Sequence, residues 1–177
     1  MRIPKQYHDL TTYRAPRILL AGLATYGVQE IVGAESNPVI LSWAQEAGVD
    51  DVYTNDDIAW CGLWMAIVAK RAAWVPVPNP LWAKNWLRFG QPASVAMLGD
   101  ILVFNRAGGG GHVGIYVGED TVAYHILGGN QQNTVNITRI RKNRLLGVRR
   151  PKWRSKQPDE VQQIFRTAAG IISVNEA

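Results

Sequence analysis

The feature that most constrains this chain is a change of period near its middle. From Gly99 onward, "GDILVFNRAGGGGHVGIYVGEDTVAYHILGGNQQNTVNITRI" alternates in polarity, is rich in Val and Ile, and is broken by glycine-containing turns. Period-two alternation with such punctuation predicts antiparallel strands, here at roughly 100–105, 112–117, 121–127 and 134–140. "VGEDTV" reads as a hairpin turn, and "LLGVRRP" as a short strand closing the sheet.

The first half follows helical grammar instead. "APRILLAGLATYGVQE" sets Pro16 near a helix start and Gly27 at its stop; in "SNPVILSWAQEAGV", Asn37 caps, Pro38 takes the first turn and Gly48 ends the helix. A third helix runs through "AWCGLWMAIVAKRAA", capped by Thr54, Asn55 or Asp57. Its apolar residues are too dense for a surface helix, so it belongs at the centre. "NPLWAKNWLRFG" repeats the cap–proline–helix–glycine order from Asn79 to Gly90. Helices followed by an antiparallel sheet define an α+β domain. One hundred and seventy-seven residues suit one domain, taken as 1–150 with its core at about 27–150. The remainder, 151–177, reads as a tail that either forms a short helix or hangs free.

Composition narrows the chemistry. Cys61 is the only cysteine, so no intramolecular disulfide and no multi-cysteine metal site can form. His8, His112 and His125 are scattered without an HExxH pair, which argues against a zinc hydrolase, and no cofactor is implied. No apolar run approaches the ~20 residues that cross a bilayer. The apolar stretch from Ile18 to Ala24 is interrupted by Gly22 and has no cleavage site after it, so no signal peptide is expected. The net charge of +5 is concentrated late, in "RIRKNRLLGVRRPKWRSK". That run is either a solvated basic face or an attractor of polyanions such as nucleic acid, anionic lipid or anionic wall polymer. No nucleic-acid-binding motif accompanies it.

Cys61 falls near the start of the central helix, where the helix dipole favours a thiolate. A nucleophilic cysteine also needs an imidazole fixed on another element. His112 meets that need, opening the strand "HVGIYVG" directly after Gly108 to Gly111, glycines that leave a substrate room. A third group should accept the other ring N–H. On the next strand, Asn130 or Gln131 can do so, and register decides: a two-residue turn at Glu119–Asp120 brings Gln131 to the histidine's face. A bulge at Gly128–Gly129, or one extra turn residue, brings Asn130 there instead. Taken singly, Cys61 can equally be a packed hydrophobe and His112 a structural residue.

The series "DDIAWCGLW", "GDILVFNR", "GGHVGIYVGE", "GGNQQNTVNI" and "RLLGVRRP" resembles the NlpC-like cell-wall cysteine hydrolases of phages and bacteria, close to the CHAP amidohydrolases. The resemblance covers roughly Gly27 to Pro151. It implies a papain-like fold with the nucleophile at the start of a central helix packed on the sheet. It implies Cys61 as nucleophile, His112 as base and Asn130 as orienting residue, with Gln131 as the alternate. The implied substrate is the peptide part of peptidoglycan, cut within the stem peptide or at the muramoyl–L-alanine junction. A phage or prophage lysin is implied, made in the cytoplasm as a monomer and reaching the wall by holin, virion or secretion machine. The Cys61 N–H is the natural oxyanion donor. Trp60, Trp64, Trp82 and Trp86 either line a groove or belong to the core, and Gly111 leaves room for substrate. Rival classes are a muramidase pairing Glu30 with Glu35 or Asp56, a non-catalytic wall-binding or virion structural module, and an acyl transferase.

Overall fold

The period-two region becomes one seven-stranded sheet in the computed structural model, which describes residues 2–12, 14–33, 35–106, 108–153, 156–174 and 176. The strands are β1 (Gln91–Ala93), β2 (Ile101–Asn105), β3 (Gly111–Glu119), β4 (Ala123–Gly128), β5 (Asn136–Arg141), β6 (Leu145–Arg150) and β7 (Ile172–Ser173). Their spatial order is β1-β6-β2-β3-β4-β5-β7. All neighbours run antiparallel except β5 and β7. With three α-helices among the described residues the architecture is α+β, as the sequence pattern predicts.

The helices are α1 (Arg17–Leu23), α2 (Pro38–Ala47) and α3 (Cys61–Arg71). In α2 the local signals act as read: the Asn37 side chain accepts from the Val39 N–H, and Gly48 ends the helix at φ 73°. The start of α3 differs. Trp60 precedes the helix without a side-chain cap, and Cys61 is its first residue. Asp56 Oδ2 instead accepts from the backbone of Ile31 and Asn37, joining two loops rather than capping α3. The stretch after Asn79 also departs from expectation. Asn79 is left-handed at φ 50°, and only Ala83–Arg88 coils, as a 3-10 helix.

Every residue from Cys61 to Ala69 is buried. One face of the sheet (Ile101, Val103, Val113, Ile115, Val117, Leu127) packs with α1, α2 and α3 in the main core. The opposite face carries Leu102, Phe104, Tyr116, Ile126, Ile140 and Val148. Ile164 packs against both clusters.

The β3–β4 turn is wider than two residues. The Asp120 carboxylate accepts from the Val122 and Ala123 N–H groups, and the Asp120 N–H donates to the Ala123 carbonyl. With a bulge after Tyr116, Ile115 then lies opposite Leu127. Asp120 also ties down buried His125 at 2.9 Å and Arg139 at 2.8 Å, while Tyr7 Oη meets the other ring nitrogen of His125 at 2.7 Å.

The tail beyond Pro151 contains no helix among the described residues, and it is anchored rather than free. Leu98 and Glu119 donate to the Gln162 and Ile164 carbonyls. Arg166 grips Asp9 with two bonds of 3.0 and 2.8 Å and donates to the Val117 and Gln6 carbonyls. Arg166 thus clamps tail, amino-terminal segment and sheet together. Arg166→Ala should lower unfolding free energy by about 2 kcal/mol, as expected for loss of a charge-assisted network. Limited proteolysis should then cut within 156–174 well before the sheet core. Unchanged stability and protection would show that the clamp carries no weight.

Candidate active site

Cys61 opens α3, and its side chain faces the start of β3. The Val113 and Gly62 backbone N–H groups lie near the thiol sulfur and favour its ionised form. Cys61 is 4% exposed and His112 is 1% exposed. The thiol therefore lies against the peptide linking His112 to Val113, but no hydrogen bond joins thiol to imidazole among the described residues. Burial pushes the Cys61 thiol up, against the downward pull of the Val113 N–H and Arg106. Burial pushes His112 down to about 4, opposed by Glu176 and by its bond to Gln131. At neutral pH this closed form holds a neutral thiol and a neutral imidazole.

The third position falls to Gln131. Its Oε1 lies 3.0 Å from His112 Nε2, so Gln131 and not Asn130 is the hydrogen-bond partner. The wide turn sets a register that would carry Asn130 to the histidine, and the path of the chain after β4 overrides it. Strand β4 stops at Gly128, Asn130 turns left-handed at φ 55°, and the Gln131 side chain folds back over the strand end. Asn130 is buried with its Oδ1 unpartnered among the described residues.

The tryptophans correct another expectation. Trp60 and Trp64 are fully buried, so neither lines a groove; their indole N–H groups are satisfied inside, by Glu30 at 3.1 Å and Thr25 at 2.8 Å. Trp86 is likewise buried and donates to the Pro80 carbonyl. Trp82 alone of these is at the surface, 74% exposed. Gly111 offers no open space in this form: a Cβ there would meet Lys84 Cγ at 2.9 Å and Ala83 Cβ at 3.4 Å.

Two segments close the site. Residues 80–81 cross the α3 start so tightly that a Cβ on Gly62 would sit 2.4 Å from the Pro80 oxygen and 2.5 Å from the Leu81 oxygen. Only glycine admits that crossing. From the same side, Lys84 Nζ donates to the Gly109 carbonyl at 3.1 Å, linking this segment to the glycine loop before His112. Beyond His112, Arg144 holds buried Glu176 with two bonds of 2.7 and 2.6 Å and donates to the Asn105 carbonyl, beside Gly111 in the ladder. Burial would raise the Glu176 carboxyl, but Arg144 and His112 hold it below its ordinary range. Sequence reasoning missed both Arg144 and Glu176, because no pattern links a strand-start arginine to a glutamate thirty residues on.

Two of the acidic residues of the muramidase rival, Glu30 and Asp56, have other duties, and Glu35 is exposed. Glu30 accepts from Trp60, and burial raises its carboxyl. Asp56 is buried and engaged with Ile31 and Asn37. No cluster of three or more His, Cys, Asp or Glu side chains able to hold a metal occurs among the described residues. No helix among them is long and apolar enough to cross a membrane. No protein-family model matches the chain, and no curated protein matches it significantly.

His112 makes stability depend on pH in a defined window. Its folded pKa is depressed, so its contribution is full above about 6.5 and is lost as pH falls towards about 4. The total is on the order of 3 kcal/mol. His125 is also lowered by burial, so it works in the same direction. Thermal melts from pH 7 to 4 should therefore fall more steeply for wild type than for His112→Asn. Parallel curves would show that His112 is not held neutral.

Proposed function

We propose that this protein hydrolyses an amide bond in the peptide part of bacterial peptidoglycan by cysteine chemistry, as a phage or prophage lysin of papain-like, NlpC-like fold. The observation that carries the reading is the junction of three elements. Cys61 is the first residue of the buried central helix, with its thiol on the His112–Val113 peptide, and His112 is oriented by Gln131. That is nucleophile, base and orienting residue on helix, strand and following loop, in the order the sequence resemblance implies.

On this reading the closed form is the resting state. Separation of the 80–84 segment from the glycine loop admits the substrate and lets thiol and imidazole meet. His112 takes the thiol proton as sulfur attacks the amide carbonyl, then delivers it to the leaving amine. The Cys61 N–H at the helix end donates to the oxyanion, a donor worth about 3 kcal/mol in such sites. Water, deprotonated by the same imidazole, releases the acyl group and regenerates the thiol. The reaction requires no cofactor.

A second reading has one observation in its favour. Both candidate groups are buried and not bonded to each other, as in a wall-binding module that keeps the fold without turnover.

Digestion of purified peptidoglycan by wild type and Cys61→Ser, with mass spectrometry of the soluble products, separates the two. The hydrolase reading expects fragments from wild type only, with activity in Cys61→Ser down at least ~1,000-fold, as for loss of a nucleophile, and the new ends name the bond. Equal activity in both proteins removes the thiol mechanism. No products from either, with the protein still pelleting with the wall, establishes the binding module.

A further inference from the structure

We infer that Glu176 is a resident substitute for a carboxylate of the substrate: Arg144 is the subsite that receives an acidic group of the cleaved peptide, and Glu176 fills it while the site is closed. The inference rests on the reading of the site as that of a peptide hydrolase. It comes from where the sheet holds Arg144 and from what the tail places on it.

Arg144 is set at the site by the sheet, not by the tail. It immediately precedes β6, whose first residue, Leu145, lies opposite Phe104, and Phe104 lies opposite His112 on β3. Its Nε donates to the Asn105 carbonyl at 2.9 Å, and Asn105 is paired with Gly111. That bond fixes the guanidinium plane, and the two terminal nitrogens form a fork shaped for a carboxylate.

The tail supplies one. Val174 is exposed, yet Glu176 is 1% exposed, with its two oxygens on the fork at 2.7 and 2.6 Å. Taking a carboxylate out of water is costly, so a buried pair is a poor fastening for a tail that Arg166 already clamps. The pair lies instead where the chemistry feels it. Of the charges acting on His112, that of Glu176 is the largest, and it reaches Cys61 as well. Arg106, against Gly110 of the glycine loop, adds a positive charge that both groups feel. With Glu176 lifted away, Arg144 and Arg106 leave the site positive, which suits a peptide with a carboxylate near the scissile amide. A tethered glutamate competes at high effective concentration. It therefore keeps out weak ligands and yields to a peptide that makes the same fork contact and others besides.

The probes are a soluble stem tripeptide with free carboxylates and the same peptide with those groups as carboxamides. Binding is measured by calorimetry and amide NMR in Cys61→Ser protein, so that no turnover intervenes. Adding Glu176→Gln, with folding verified by the melting transition, should tighten binding of the acidic peptide about tenfold or more, the scale of one charge-assisted hydrogen bond. Binding of the carboxamide peptide should not change. Arg144→Lys keeps the charge but loses the fork, so adding it should abolish the gain. With Glu176 and Arg144 intact, the acidic peptide at saturation should move the Glu176 amide resonance to the position of a released tail, and the carboxamide peptide should not. No gain in folded Glu176→Gln, equal gains for both peptides, a gain that survives Arg144→Lys, or a Glu176 resonance unmoved by the acidic peptide overturns the inference. The hydrolase reading fails separately, on equal wall digestion by wild type and Cys61→Ser.

Discussion

Helix α3 has no solvent face along its first nine residues, and the rest of the molecule is arranged to enclose it. A helix of unbroken apolar character satisfies its own backbone but needs neighbours on every side. Here α1 and α2 supply one wall, β3 and β4 another, and the Pro80–Leu81 carbonyls close the amino-terminal end over Gly62. Close packing leaves no slack in such an arrangement. The thiol of Cys61 therefore inherits its environment from the whole fold. Its raised pKa, its contact with the His112–Val113 peptide and its seclusion from solvent all come from the enclosure of one helix.

Local chemistry and period were legible in the sequence. Asn37, Pro38 and Gly48 bounded α2 because each acts within its own turn, and the Val- and Ile-rich runs between glycine turns from Gly99 to Ile140 located the central strands, whose two faces are both covered. The start of α3 was not legible. Thr54, Asn55 and Asp57 are good capping residues by type, but the helix begins where the main core needs it, and Asp56 spans to Asn37 instead. The choice between Asn130 and Gln131 hung on the path of the chain beyond Gly128, where Asn130 turns left-handed and the Gln131 side chain reaches back to the Ile126 and Asn136 carbonyls, which no strand register reveals. The tail gave no period because its strand is two residues long and its anchors are scattered main-chain bonds and single side chains.

The charge distribution carries a similar lesson. A run such as "RIRKNRLLGVRRPKWRSK" invites a reading as a basic patch, yet most of its arginines face inward. Arg139 serves Asp120, Arg144 serves Glu176, Arg149 serves the Phe89 and Gly90 carbonyls, and Arg150 serves Asp100. Guanidinium groups suit such roles because their planar donor fork satisfies carboxylates and carbonyls together. The run overstates the basic surface offered to a polyanion, because these cations are engaged in holding strands, loops and tail in place, and the net charge of +5 already includes their acidic partners.

The two margins of the sheet are each finished by a very short strand, β1 against β6 and β7 against β5. A long, bare margin is a template on which a second chain can zip, so proteins keep such margins brief or covered. Residues 172–173 guard β5 in this way, and they do so with a segment whose neighbours Ile171 and Val174 point into solvent. The tail that embraces the domain is thus also its safeguard against self-association: the guard against edge-to-edge pairing resides in a peripheral ribbon, not in the charge of the surface.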